Sequence, residues 1–257
     1  MAVVTLLEKV YGRRSAKEFQ QTFAEMCRGL NVKLKVLTCA PRGWIRLEVK
    51  GEDEKAALNF LKEEVGLAPV SIKNIRRGDI IRGRVISSKS KIELRLDLGV
   101  YEPEMIDASL PLRHLQAQLA DGKKLALKTI IELYGLYPNL PLEVKVHRLD
   151  VESELIEAHL SENQILLFDS WIRQTLERLI ILGVTREEIE YAIKMLRLSR
   201  DIYAIESLGL LEHAIICKLG TEARGLIPKL GPKLQNAVLT PFTPTKIQKT
   251  IERKTLN

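Results

Sequence analysis

The N-terminal third alternates between strand-like and helix-like hydrophobic patterns. Residues 2–10 (AVVTLLEKV) read as a strand, broken by Gly12. Ser15 with Glu18 forms a capping-box pattern, and Ala16, Phe19, Phe23, Met26 and Cys27 recur at helical spacing up to Gly29. Val32-Lys33-Leu34-Lys35-Val36 alternates strictly, as does Trp44-Ile45-Arg46-Leu47-Glu48-Val49, and Ala40-Pro41-Arg42-Gly43 supplies the turn between them. Residues 53–65 (DEKAALNFLKEEV) predict a second helix ending at Gly66. Strand, helix, strand, strand, helix over residues 1–70 is the order of a truncated, ferredoxin-like α+β module.

The pattern then becomes strand-rich. DIIRGRVIS (79–87) and KIELRLDL (91–98) flank a polar turn, and Ile92, Leu94, Leu96 and Leu98 share one face of the second. ASLPLRHL (108–115) gives a third short strand, with Pro111 marking an edge or bulge. Two short helices follow near 112–119 and 123–135, then strands at 141–148 (PLEVKVHR) and 154–160 (ELIEAHL). Five strands with a helical connection between the third and fourth predict an OB barrel over residues 71–161. From the N-cap Ser161, the apolar stripe Ile165, Phe168, Trp171, Ile172, Leu176 and Leu179 predicts a helix running to Gly183. Thr185 and Glu188 cap a second helix with Ile189, Ala192, Ile193 and Leu196 inward, giving a helical pair over 162–200. Residues 201–219 read as a hairpin turning at Gly209, opening a small β-rich unit (201–257) with a basic tail, KIQKTIERKTLN. An echo links Asp79-Ile80 … Leu98-Gly99 … Leu110-Pro111 to Asp201-Ile202 … Leu219-Gly220 … Ile227-Pro228. If it is a true repeat, the C-terminal unit is a partial OB-like barrel. The fold expected is therefore α+β and multidomain.

Charge sharpens this picture. The 257 residues carry a net charge of +7. Residues 71–91 hold seven basic side chains (Lys73, Arg76, Arg77, Arg82, Arg84, Lys89 and Lys91) against Asp79 alone, whereas residues 92–161 are net acidic. Charge packed so densely either lies on a solvated face or meets phosphate. Arg82 and Arg84, two apart on one strand, share a face that Arg95 and Lys145 extend. With Arg76, Arg77, Lys89, Lys91, Arg113, His114 and His147 they make a candidate RNA-binding surface. Lys218, Arg224, Lys229 and Lys233 form a weaker second patch.

No catalytic pattern emerges. The four histidines (His114, His147, His159 and His213) lack HExxH or other ligand spacing, and no phosphate loop or GxSxG occurs. His159 and His213 are expected to make structural hydrogen bonds, and the acidic run Glu152–Glu157 to be a solvated hairpin. Cys27, Cys39 and Cys217 include no CxxC pair, which argues for free thiols in the cytoplasm rather than disulfides or zinc. No run approaches a membrane span, and Glu8 and Lys9 interrupt the N-terminus too early for a signal h-region. Neither catalysis, a cofactor, a metal nor a small-molecule substrate is expected.

GDIIRGRVIS, the LDLGV strand end, the LPLRHL turn and PLEVKVHRLDVESELIEAHLS, closing on Val144-Lys145-Val146, Asp150 and Leu160-Ser161, resemble the S-one-type OB repeat of ribosomal and RNA-processing proteins. With EHAIICKLGTEARGLIPKLG, the whole chain resembles an uncharacterised archaeal family of predicted RNA-binding proteins. The resemblance implies a protein that binds ribosomal or other structured RNA, with ribosomal or RNA-processing proteins as further partners. The aromatics such repeats place on the second strand are absent, since Leu94, Arg95 and Leu96 stand there, and aromatics are 5% of the chain. Backbone and shape recognition is then expected rather than base stacking. Two alternatives stay open. In one, the helices of 162–197 and the hairpin form a DNA-binding winged helix in a transcription-associated factor. In the other, the chain is a protein-interaction adaptor.

Overall fold

The computed structural model describes residues 1–87 and 89–252; the last five residues of the expected basic tail lie outside them. The first module holds β1 (Ala2–Lys9), α1 (Gln20–Met26), β2 (Val32–Val36), β3 (Trp44–Gly51) and α2 (Glu54–Glu64), with sheet order β1-β3-β2. The Ser15–Glu18 capping box forms, opening a 3₁₀ turn that leads into α1. Leu6, Phe23, Ile45, Leu47, Val49, Ala57 and Leu61 fill its core. A fourth strand is reduced to residues 66–68, which bond the free edge of β1 through Leu7 N–H to Gly66 C=O and Ala68 N–H to Thr5 C=O, at 2.9 and 2.8 Å.

A short β4 (Val70–Ser71), paired in parallel with β7 (Val100–Glu102), leads into a closed barrel. Its staves are β5 (Ile80–Val85), β6 (Glu93–Asp97), β8 (Asp107–Pro111), β9 (Pro141–Asp150) and β10 (Leu155–Leu160), in the closed order β10-β8-β6-β5-β9. Helices α3 (Leu112–Leu119) and α4 (Leu127–Tyr134) connect its third and fourth staves, as expected. The period-2 residues Leu94, Leu96, Leu142, Val144 and Val146 are buried. Helix α5 (Glu162–Arg173), N-capped by Ser161, follows the last stave.

The C-terminal third departs from expectation. The helix predicted to run to Gly183 ends at Arg173, and Arg178–Leu182 is a strand, β11, buried along its whole length. It is followed by α6 (Arg186–Met195), with the Thr185–Glu188 capping box, then β12 (Ile202–Ser207), β13 (Glu212–Cys217), α7 (Ala223–Leu230), β14 (Val238–Phe242) and α8 (Pro244–Glu252). Sheet order β12-β13-β11-β14 is that of a β-α-β-β-α-β unit, neither a partial barrel nor a winged helix. The sequence echo fails here: Ala108-Ser109-Leu110 lies on a stave, whereas Ala223-Arg224-Gly225-Leu226 begins a helix. The real internal likeness is topological, between the first and last modules. β11 also explains the error. Leu179 and Ile181 face α6 and α7, while Ile180 and Leu182 join the barrel's core. A strand covered on both faces loses its alternation and cannot be told from a buried helix by period.

One apolar core runs through all three modules, including Leu7 and Trp44 of the first, the barrel interior, Phe168 and Trp171 of α5, and Ile180, Ala214 and Phe242 of the last. Charges are buried where the modules meet. Arg84 on β5 is wholly buried. Its guanidinium donates to Glu8, to the Leu7 carbonyl (3.3 Å) and to Glu212 (2.8 Å), so one side chain ties the three modules together. Tyr11 donates to Glu212 as well, at 2.7 Å. Gly209 closes over this group; a Cβ there would stand 2.2 Å from the Glu212 carboxylate and 3.1 Å from the Arg84 nitrogens. A second buried group centres on Asp97. It accepts from Lys9 Nζ (2.5 Å), Trp44 Nε1 (3.1 Å) and the Gly99 N–H (2.9 Å), while Lys9 lies 4.4 Å above the Trp44 ring.

Burial holds the Glu212 carboxyl above the usual glutamate value of 4.5, against the pull of Arg84 and with the push of Glu8. An acid whose folded pKa is raised binds more protons folded than unfolded, so stability falls as pH rises from about 4.5 through the raised value. Glu212→Gln keeps a hydrogen-bonding side chain without the charge. Thermal unfolding across pH should show a flatter curve on that limb for the variant; equal slopes would refute the assignment.

No helix among the described residues is long and apolar enough to cross a membrane.

Candidate nucleic-acid interface

The outer face of β5 runs from solvent into the junction. Ile80 is 55% exposed, Arg82 half-buried and Arg84 buried. The two arginines do share a face, but the flanking modules cover it. Arg84 is therefore removed from the candidate surface: its charge is spent on Glu8 and Glu212. Arg82 pairs across the ladder with Glu143 and lines a cleft of about 460 Å³ together with Glu8, Glu64, Glu143 and Glu206, surroundings that repel phosphate. Arg95, on β6, is ion-paired to Glu93 at 2.9 Å. Lys89 and Lys91 are exposed on the β5–β6 connection, and Lys218, Arg224 and Lys229 are exposed on the C-terminal module. The single continuous face expected from the sequence does not form.

A smaller group does assemble, around β9. Arg76 and Arg77 are exposed in the loop before β5. The Arg76 N–H is held by Asp79 (2.8 Å), and Gly78, at φ 95°, turns so that its N–H reaches the Val146 carbonyl at 2.9 Å. This joins the backbone of the loop that carries both arginines to β9, the strand that carries His147 and Arg148. Lys145 extends the group along β9 and is half-buried. Arg148, exposed on β9 opposite Glu157 of β10, is not among the residues the sequence pattern singles out.

The β9–β10 ladder contains a bulge. Glu157 opposes Arg148 and Ala158 opposes Val146, so His147 is the extra residue. The bulge turns His147 toward His159 on β10 and His114 in the first turn of α3. The three rings form a triangle with centroids 5.4, 5.8 and 6.0 Å apart. Glu157 accepts from Arg113 at 2.5 Å and meets His114 Nε2 at 3.1 Å. Burial pushes the Glu157 carboxyl up, but the His114 and Arg113 hydrogen bonds outweigh it and leave its pKa below the usual value. His159 Nδ1 lies 2.9 Å from the Leu160 carbonyl, and His213 Nδ1 3.2 Å from Ser207 Oγ, in line with the structural bonds expected of both. The histidines stand far apart in sequence. Only the ladder register brings three of them together, so no spacing rule finds them.

Models of the DUF2110 N-terminal, central and C-terminal domains match residues 3–70, 75–172 and 176–241. The chain belongs to the DUF2110 family. The central DUF2110 segment takes in α5, which the sequence pattern had assigned to a separate helical pair, and the C-terminal segment begins just before β11. No curated protein matches. Among solved structures, the DUF2110 chain is similar to a protein of vaccinia virus (Wisconsin strain), at 22% identity over 34% of this chain and 89% of that one, with a TM-score of 0.24. It is also similar to a chain of the a/eIF2alpha–aDim2p–rRNA complex from Pyrococcus horikoshii OT3, at 15% identity over 48% of this chain and 60% of that one, with a TM-score of 0.27. Both likenesses cover only part of the chain.

Proposed function

We propose that the central barrel is of the OB type and that the protein is a non-enzymatic RNA-binding protein, holding the backbone of structured RNA and serving translation or RNA processing. The observation that carries this reading is the exposed group of Arg76, Arg77 and Arg148 with His147, set on the barrel wall by one loop and one bulge. Guanidinium forks match phosphate geometry. No Phe, Tyr or Trp belongs to this group, which favours backbone over base contacts. Binding of fluorescein-labelled ribosomal RNA fragments should weaken steeply with salt, since each phosphate contact adds roughly 0.7 to 0.9 to the log–log slope. The double variant Arg77→Ala/Arg148→Ala should fold normally, bind at least tenfold more weakly and show a shallower slope. Arg224→Ala/Lys229→Ala should match the parent. Equal binding by parent and Arg77→Ala/Arg148→Ala would sink this site.

The DNA-binding alternative loses its basis, because its first helix is in part strand β11 and its hairpin belongs to a four-stranded sheet.

A further inference from the structure

The sequence pattern gives no metal site, yet the fold gathers a donor set suited to one. We infer that His114, His147 and Glu157 form a binding site for a divalent first-row transition metal of the zinc class, with His159 beside it. This inference goes beyond the RNA-binding reading, with which it shares only His147, and needs only the three ligand side chains.

The geometry is close to what coordination requires. One donor atom from each of His114, His147 and Glu157 lies within 4.8 Å of the other two. Ligands on a tetrahedral zinc with bonds of about 2.0–2.1 Å stand roughly 3.3 Å apart. His114 Nε2 and Glu157 Oε1, at 3.1 Å, already meet that spacing. His147 is exposed at the bulge, so rotation about its side-chain torsions can bring it the remaining distance. Two imidazoles and one carboxylate are the ligands of known His₂Glu zinc sites, and such a set leaves a coordination position for water. His159 stands beside this set, its ring centroid 5.8 Å from that of His147 and 6.0 Å from that of His114, and its Nδ1 lies 2.9 Å from the Leu160 carbonyl and 3.4 Å from Gln118 Nε2. Gln118 fixes the same stretch of backbone, donating to Leu160 C=O (2.9 Å) and accepting from Leu160 N–H (3.0 Å). The elements are stiff as well: two paired strands and the first turn of a helix packed on them.

Arg113 is the competitor. Its guanidinium occupies the Glu157 carboxylate, but its side chain is 69% exposed and swings into water at little cost. A metal therefore displaces Arg113. This gives a prediction opposite in sign to that for the ligands: Arg113→Ala should tighten binding.

The test uses the full-length chain, stripped with a chelator and carrying Cys39→Ser, since Cys39 is less buried than Cys27 and Cys217. Cobalt(II) is titrated and followed by visible absorption, with zinc then added to displace it. One equivalent should bind with the intense visible bands of a four- or five-coordinate site, and binding should weaken in acid as the imidazoles protonate. His114→Ala/His147→Ala should lose affinity on the order of 100-fold or more, and His159→Ala about tenfold, with far-UV circular dichroism unchanged. Glu157→Gln provides a second variant of small structural effect and should also weaken binding. No uptake by the parent, or uptake that survives His114→Ala/His147→Ala, overturns the site. Binding of cobalt with no effect on RNA affinity leaves the metal site standing and bears only on the reading above.

Discussion

Arg84→Ala is expected to lower the stability of the folded chain by about 3–5 kcal/mol, measured by urea unfolding. Glu8 and Glu212 would remain buried at a module boundary with no cation between them. Removing one member of a buried charge group costs more than the group contributes, because the remaining charges keep their desolvation penalty. Against a typical total of about 5–15 kcal/mol, such a loss populates unfolded chain at physiological temperature. The triple variant Glu8→Leu/Arg84→Met/Glu212→Leu separates this explanation from simple loss of contacts. It removes every charge while retaining side-chain volume, so it should be markedly more stable than Arg84→Ala. If the triple variant is no better than the single, the unpaired-charge explanation fails.

Asp97→Ala should be comparably damaging, at about 3–5 kcal/mol, because it strands three donors at once. Lys9 would lose the anion it is paired with, and the Trp44 indole and Gly99 N–H their acceptor. Lys9 also supplies a sign. Burial already pulls its pKa below the ordinary 10.5, with Asp97 opposing that shift. Without Asp97 the neutral amine is favoured further. A base with a depressed folded pKa binds fewer protons folded than unfolded, so stability rises with pH up to about 10.5. The deficit of Asp97→Ala should therefore shrink as pH is raised. Asp97→Asn, which keeps an acceptor for Trp44 and Gly99, should cost less. Chemical denaturation of both variants at several alkaline pH values checks the ranking and the trend, and a deficit that grows with pH would rule out the role given to Lys9.

What the sequence made legible was whatever depends on neighbours along the chain. Both capping boxes, at Ser15–Glu18 and Thr185–Glu188, form as their spacing predicts, and the five barrel strands follow their alternating residues. What it hid depends on neighbours across the fold. β11 has no polar face because two cores claim its two sides, so its five apolar-rich residues read as a helix. Arg84 looked like the solvated half of an alternating strand, since nothing local reveals that two other modules close over β5. The histidine triangle needs the register of β10 on β9 and a single extra residue, neither of which leaves a spacing signature. The exposure of Arg76 and Arg77 is legible for the opposite reason: they sit in a loop, where the local pattern is all there is.

The charges at the junction also join stretches of chain that lie far apart in sequence: Glu8 and Lys9 in the first module, Arg84 and Asp97 in the barrel, and Glu212 in the last. Without the C-terminal module, Arg84 would keep Glu8 as counter-charge but lose Glu212. The last module thus acts as the cover of β5, and its loss would mark the chain by uncovering an arginine that the folded protein keeps from water.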